Sequence, residues 1–201
     1  MIRLLFIVSI SFLFLSCNAN ERRNQSLTTT ENNSIDNTRI EQLKNAYEKR
    51  DYKSFFKLFP NTYNELLDFY GYSDSLGERP LYSLYEEHIK YLFQYENIIS
   101  SEIFTEKIYS IAVNGLWEAD AVGLFQVNLS QLIINNPNIF IKILTAKSEK
   151  EVKSFWHFVF DGSSKKDLQN RDKFNDIYKK INSLDERQSL VLKSEFEEMY
   201  K

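Results

Sequence analysis

Apolar residues recur at intervals of three and four from Ile40 to Leu144, and residues that start or stop helices stand between the runs. This spacing is one face of an α-helix repeated many times, and a half-buried strand would instead alternate with a period of two. Ile40, Leu43 and Tyr47 predict a first helix. Asp51 is expected to cap a short helix carrying Phe55, Phe56 and Phe59, with Pro60 as its stop. Asn61 is expected to cap the next, with Tyr63, Leu66, Leu67 and Tyr70 inside and Gly71 as the end signal. The stretch Gly71 to Pro80 reads as a loop. Leu81, Leu84, Tyr85, Ile89, Leu92 and Phe93 then predict a longer helix.

The second half follows the same grammar. Ser100 or Ser101 starts a helix with Ile103, Phe104, Ile108 and Ile111, ending near Asn114-Gly115. Asp120 is expected to cap a helix through Val122, Phe125, Leu129, Leu132 and Ile133. Asn135-Asn136-Pro137 ends it and opens the next, with Asn136 expected as cap and Pro137 in the first turn, and that helix carries Ile139, Phe140, Ile143 and Leu144. Ser148 with Glu151 has the spacing of a capping box, before Val152, Phe155, Trp156 and Val159. Phe155 to Phe160 is apolar enough that a buried strand is the alternative there. Asp161-Gly162 reads as a turn, and Ser183 with Glu186 as a second capping box before a charged C-terminal helix. The expected fold is all-α: a helical bundle, or a short α-solenoid of antiparallel hairpins, following a disordered tether. No fixed repeat period is found.

Composition agrees with this fold class. Five Gly and three Pro among 201 residues are few for a β-sandwich. Sixteen Phe and twelve Tyr supply apolar area for a core without cross-links. The single cysteine excludes an internal disulfide and a thiolate metal site. A formal net charge of −3 excludes the electrostatic footprint of a nucleic-acid binder.

The N-terminus reads differently. Arg3 is followed by an apolar run from Leu4 to Leu15, then Ser16 and Cys17. A basic residue, an apolar stretch and a small residue make a secretory signal peptide, too short to span a bilayer. Phe14-Leu15-Ser16-Cys17 resembles a bacterial lipobox, although leucine is commoner at the place of Phe14. The resemblance implies a signal peptide over 1–16, a diacylglycerol on the Cys17 thiol, cleavage before Cys17 and an N-acyl lipid there. No other cofactor is expected. Residues 17–37 are expected as the lipidated cysteine with a flexible tether, and 38–201 as the helical domain. Asn18 is not the aspartate of inner-membrane retention, and no acidic run resembles a surface-export signal. By that resemblance the chain belongs to the outer membrane, facing the periplasm. The segment Trp117 to Gln126, through Asn135-Asn136-Pro137, also resembles helical segments of uncharacterised Bacteroidota-type lipoproteins, and implies no activity.

Candidate chemistry is sparse. His88, beside Glu87, and His157, between Trp156 and Phe158, fall in no zinc-hydrolase motif. Glu118 with Asp120, Glu86-Glu87 and Asp161 are the paired acids open to general acid–base work. Ser73 to Glu78 lacks the alternating acids of a calcium loop. No catalytic or metal-binding residue is therefore expected. Tyr63, Phe69, Tyr70, Tyr72, Tyr82, Tyr85, Tyr91 and Tyr95 crowd around the Gly71–Pro80 loop, and tyrosine is favoured in protein interfaces. Tyr70, Tyr72, Tyr82 and Tyr85 are the expected binding face. The expected function is that of a non-enzymatic, membrane-anchored adaptor or accessory subunit for a protein partner. The alternatives are an immunity protein that neutralises a toxin and an envelope hydrolase using His88 or His157.

Overall fold

Leu43, Phe55 and Phe59 have no exposed surface, so the faces marked by periodicity do turn inward. The computed structural model describes residues 37–94, 98–162 and 168–201. The chain divides into two units, Met1–Thr38 and Arg39–Lys201. The expected signal peptide, Cys17 and the tether lie outside the described residues, except Asn37, which opens the first helix; Tyr95 also lies outside them.

The described residues hold ten α-helices. They are α1 (37–48), α2 (Tyr52–Leu58), α3 (Tyr63–Tyr70), α4 (Tyr85–Leu92), α5 (Ser101–Ala112), α6 (Ala121–Asn135), α7 (Pro137–Thr145), α8 (Glu149–Phe160), α9 (Leu168–Asn182) and α10 (Glu186–Met199). The fold is all-α. Its one sheet is a two-stranded hairpin, β1 (Tyr72–Ser73) against β2 (Gly77–Glu78), antiparallel with Tyr72 opposite Glu78. This hairpin occupies the stretch expected as a loop. Gly77 sits at φ +71, a conformation open to glycine at no steric cost, which lets the turn close. A 3-10 turn over Tyr82–Leu84 precedes α4, so the expected longer helix is a 3-10 turn running into an α-helix.

Helix α6 is the hub and packs on α3, α4, α7, α8 and α9. Helix α10 closes the far side against α7, α8 and α9. These contacts skip elements along the chain and enclose one continuous core. A stack of hairpins would touch only its sequence neighbours, so the arrangement is that of a bundle. The core is aromatic. Phe93 meets Phe104 and Phe125 edge-on, and Phe125 meets Phe158, which joins α4, α5, α6 and α8. Gly115 lies where a Cβ would come within 2.6 Å of the Phe158 ring and 2.9 Å of Tyr63, so the turn after α5 needs glycine for close approach. At the C-terminal end Phe174, Phe196 and Tyr200 stack, and the Tyr200 hydroxyl donates to the Phe160 carbonyl at 2.9 Å.

Several caps stand where expected. The Asp51 carboxylate accepts from Ser54 N, Ser100 Oγ accepts from Ile103 N, and Ser148 and Glu151 form the full capping box. Phe155 to Phe160 is helix, not strand. Other caps differ. Thr62, rather than Asn61, caps α3 by accepting from Glu65 N, and the Asn61 amide instead donates to Glu65 Oε2. Asp185, rather than Ser183, caps α10 by accepting from Gln188 N; Ser183 Oγ donates back to the Lys180 carbonyl at the end of α9. Asp120 stands at the N-cap position of α6 but its side chain makes no capping bond, because it is drawn to Tyr82.

Candidate functional site

The expected tyrosine face is partly on the surface. Tyr72 is 55% exposed, and a ladder of rings runs Tyr72–Tyr82–Tyr85 at centroid spacings of 6.0 and 5.9 Å. The Tyr82 hydroxyl donates to Asp120 Oδ2 at 2.6 Å, and that carboxylate pushes the phenol up to about 12. Tyr70 does not belong to this face. It is the last residue of α3, fully buried, and its ring stacks on Phe59. Its hydroxyl pairs with His88 Nδ1 at 2.9 Å. The physical reason is helical register: Leu66, Phe69 and Tyr70 share the inward stripe of α3, whereas Tyr72 lies beyond its end on the hairpin.

His88 is likewise a core residue with no exposed surface. The rings of Tyr47, Phe55 and Tyr70 surround it at 4.5, 5.3 and 5.8 Å. Burial, helped by the nearby Lys44 ammonium, lowers it to about 4, so it is neutral near pH 7. Its Nε2 has no hydrogen-bond partner among the described residues. His157 Nδ1 lies 3.0 Å from Glu195 Oε1 on the half-exposed outer side of α8. Asp161 Oδ2 accepts from Trp117 N at 2.7 Å and so fastens the segment before α6 to the end of α8. Among the described residues no group of three or more His, Cys, Asp or Glu gathers to hold a metal ion. No helix among them is long and apolar enough to cross a membrane.

A second surface feature was not expected. The end of α2, the turn after it, α5 and α7 enclose an open trough of about 1010 Å³. Its apolar lining is Phe56, Ile103, Ile143 and Ala146; Phe56 and Ile143 are nearly buried, whereas Ile103 stands 61% exposed. Four lysines, Lys57, Lys107, Lys142 and Lys147, and two glutamates, Glu102 and Glu106, line the rest of its length. Lys147 pairs with Glu106, and Lys142 lies 3.8 Å from Glu102. Lys107 is the best-anchored member. Its ammonium donates to the Phe59 carbonyl at 2.8 Å and to Asn61 Oδ1 at 2.7 Å, and it sits 4.9 Å above the Phe56 ring. Burial, with the Arg39 guanidinium nearby, pushes Lys107 down to about 8, against the opposing pull of Glu65. An apolar lining with convergent polar groups and a shifted titratable residue is the usual signature of a binding site.

Chain order explains why the trough was missed. Ile103 reads as an ordinary member of the α5 stripe, yet its neighbours on the inward face are Phe104 and Ile108. An apolar residue on the helix flank beside two glutamates was the available signal. No family profile, curated protein or solved structure matches the chain.

Proposed function

We propose that this protein is a non-enzymatic docking protein of the bacterial cell envelope, anchored by a lipid on Cys17 in the outer membrane and facing the periplasm. The helical unit holds a partner protein against the trough between α2, α5 and α7. The observation that supports binding is the trough itself. Ile103 stands open to water in a concave surface that also shows the edges of the nearly buried Phe56 and Ile143 and is framed by charge, and concave, partly apolar surfaces with a few polar groups are where partners bind. The tyrosine ladder at Tyr72, Tyr82 and Tyr85 is a second contact surface with the same chemistry of broad rings and polar tips. The anchor rests on the lipobox resemblance of Phe14 to Cys17. Two or three acyl chains there hold the unit stably at the membrane.

Cross-linking in native cells, followed by capture of the intact chain, tests the docking role. The wild type is expected to bring down one stoichiometric protein, and Ile103→Asp is expected to lose it while the chain stays folded. Equal recovery from both would reject the trough. Intact mass of the membrane-bound form tests the anchor: diacylglycerol on Cys17 is expected, and a free thiol would contradict it.

A further inference from the structure

The proposed docking site carries a charge of its own. The chain as a whole is acidic, with a formal net charge of −3, yet the trough gathers four lysines against two glutamates. Glu106 and Glu102 answer Lys147 and Lys142, which leaves an excess of two positive charges beside Phe56, Ile103, Ile143 and Ala146. Lys57 is exposed on α2, and Lys142, 72% exposed on α7, lies 3.8 Å from Glu102, a loose contact that leaves its ammonium open to a second carboxylate. The lining of α5 runs from Glu102 to Ser110, about 12 Å of helix axis at roughly 1.5 Å per residue, or a little over two turns.

We infer that the trough takes an acidic, amphipathic helical segment of a partner protein, its apolar stripe on Ile103, Phe56 and Ile143 and its carboxylates toward Lys57 and Lys142. This rests on the docking role proposed above and names the chemistry of the partner. A helix laid in a groove is read through apolar anchors at i, i+3, i+4 and i+7, and a little over two turns spans all four. Cations on both walls then select carboxylates at the flanking positions and speed encounter by attraction at a distance. An open trough suits a peptide better than an acyl chain, because a bare hydrocarbon tail would keep much of its length in water.

Display of a random library of helix-forming peptides against the full chain, followed by anisotropy measurements on the enriched sequences, tests this. The enriched peptides are expected to carry net negative charge with apolar residues at helical spacing. Their affinity should fall about tenfold or more in Lys57→Glu/Lys142→Glu and separately in Ile103→Asp. It should also fall as salt rises from about 0.05 to about 0.5 M. Enrichment of neutral or basic peptides, binding indifferent to both variants, or no binding peptide at all would overturn the inference. Displacement of the peptide by palmitate at the same residues would assign the trough to an acyl chain and overturn it too. If the peptides fail while Ile103→Asp still loses the native partner, the docking role stands and only the acidic chemistry falls; if both fail, both fall.

Discussion

Lys107 Nζ lies 2.8 Å from the carbonyl oxygen of Phe59, so a cation from α5 closes the C-terminal end of α2 and forms part of the trough at once. Arg39 adds a second donor to the same carbonyl at 3.2 Å. Positive charge at a helix C-terminus meets the negative end of the helix dipole and the unpaired carbonyls of the last turn. The trough is therefore framed by a structural contact, and its wall is held by the fold itself.

Lys107→Ala removes two hydrogen bonds and the contact over Phe56. Asn61 Oδ1 loses its donor and the Phe59 carbonyl keeps only Arg39, so a loss of about 1–2 kcal/mol in unfolding free energy is expected. Lys107→Met keeps the aliphatic stem and should cost less. Because the folded chain releases this proton near pH 8 and the unfolded chain near 10.5, the wild type should gain stability from pH 8 to 10.5, a rise absent in Lys107→Met. Urea titrations over that range read both effects.

His88 gives the opposite end of the pH scale. The unfolded chain takes up a proton near pH 6.5 and the folded chain only near 4, so the unfolded state binds more protons between them. Stability is fully present above pH 6.5 and falls as the pH drops, by about 2 kcal/mol at pH 5 and about 3 kcal/mol at pH 4. Denaturation of the wild type and of His88→Phe across this window should show the slope in the first and its reduction in the second. An unchanged slope would place the acid sensitivity in the carboxylates instead.

The Tyr82–Asp120 bond joins the 3-10 turn before α4 to the entry of α6 at a residue held at φ +56. A non-glycine residue in that region is strained, and it persists because its surroundings fix it. Tyrosine resonances followed by NMR should show Tyr82, assigned through Tyr82→Phe, titrating near 12 in the wild type. In Asp120→Asn the carboxylate charge is gone and the phenol should return toward its ordinary value of 10.

Much of the fold was legible in the chain because caps and apolar stripes are local. Asp51, Ser100 and the Ser148–Glu151 box could be read without knowing any tertiary contact. Helix α9 was not read. Ile177 and Ile181 are fully buried with Phe174 and Tyr178 beside them, at the spacing of a stripe, but charged and amide residues fill most of the remaining positions and mask the period. Asn61 against Thr62 and Ser183 against Asp185 show the same limit at finer scale. Adjacent polar residues are equally good caps, and the packing of the following helix sets its register. Asp120 lost its expected role to a tyrosine 38 residues away. The tyrosine face split because Tyr70 and Tyr72 are neighbours in sequence on opposite sides of the protein surface. Of the trough the chain shows only Ile103 beside Glu102 and Glu106, since α2, α5 and α7 meet only in space.

A photo-reactive amino acid placed at Ile103 in living cells tests the docking role most directly, with Leu190 as a control. Both positions are exposed, at 61% and 57%, but Leu190 lies on α10, away from the trough lining. Light is expected to join position 103 to a single protein and position 190 to none. Cross-linking of the same proteins from both positions, or from position 190 alone, would contradict a partner seated in the α2–α5–α7 trough.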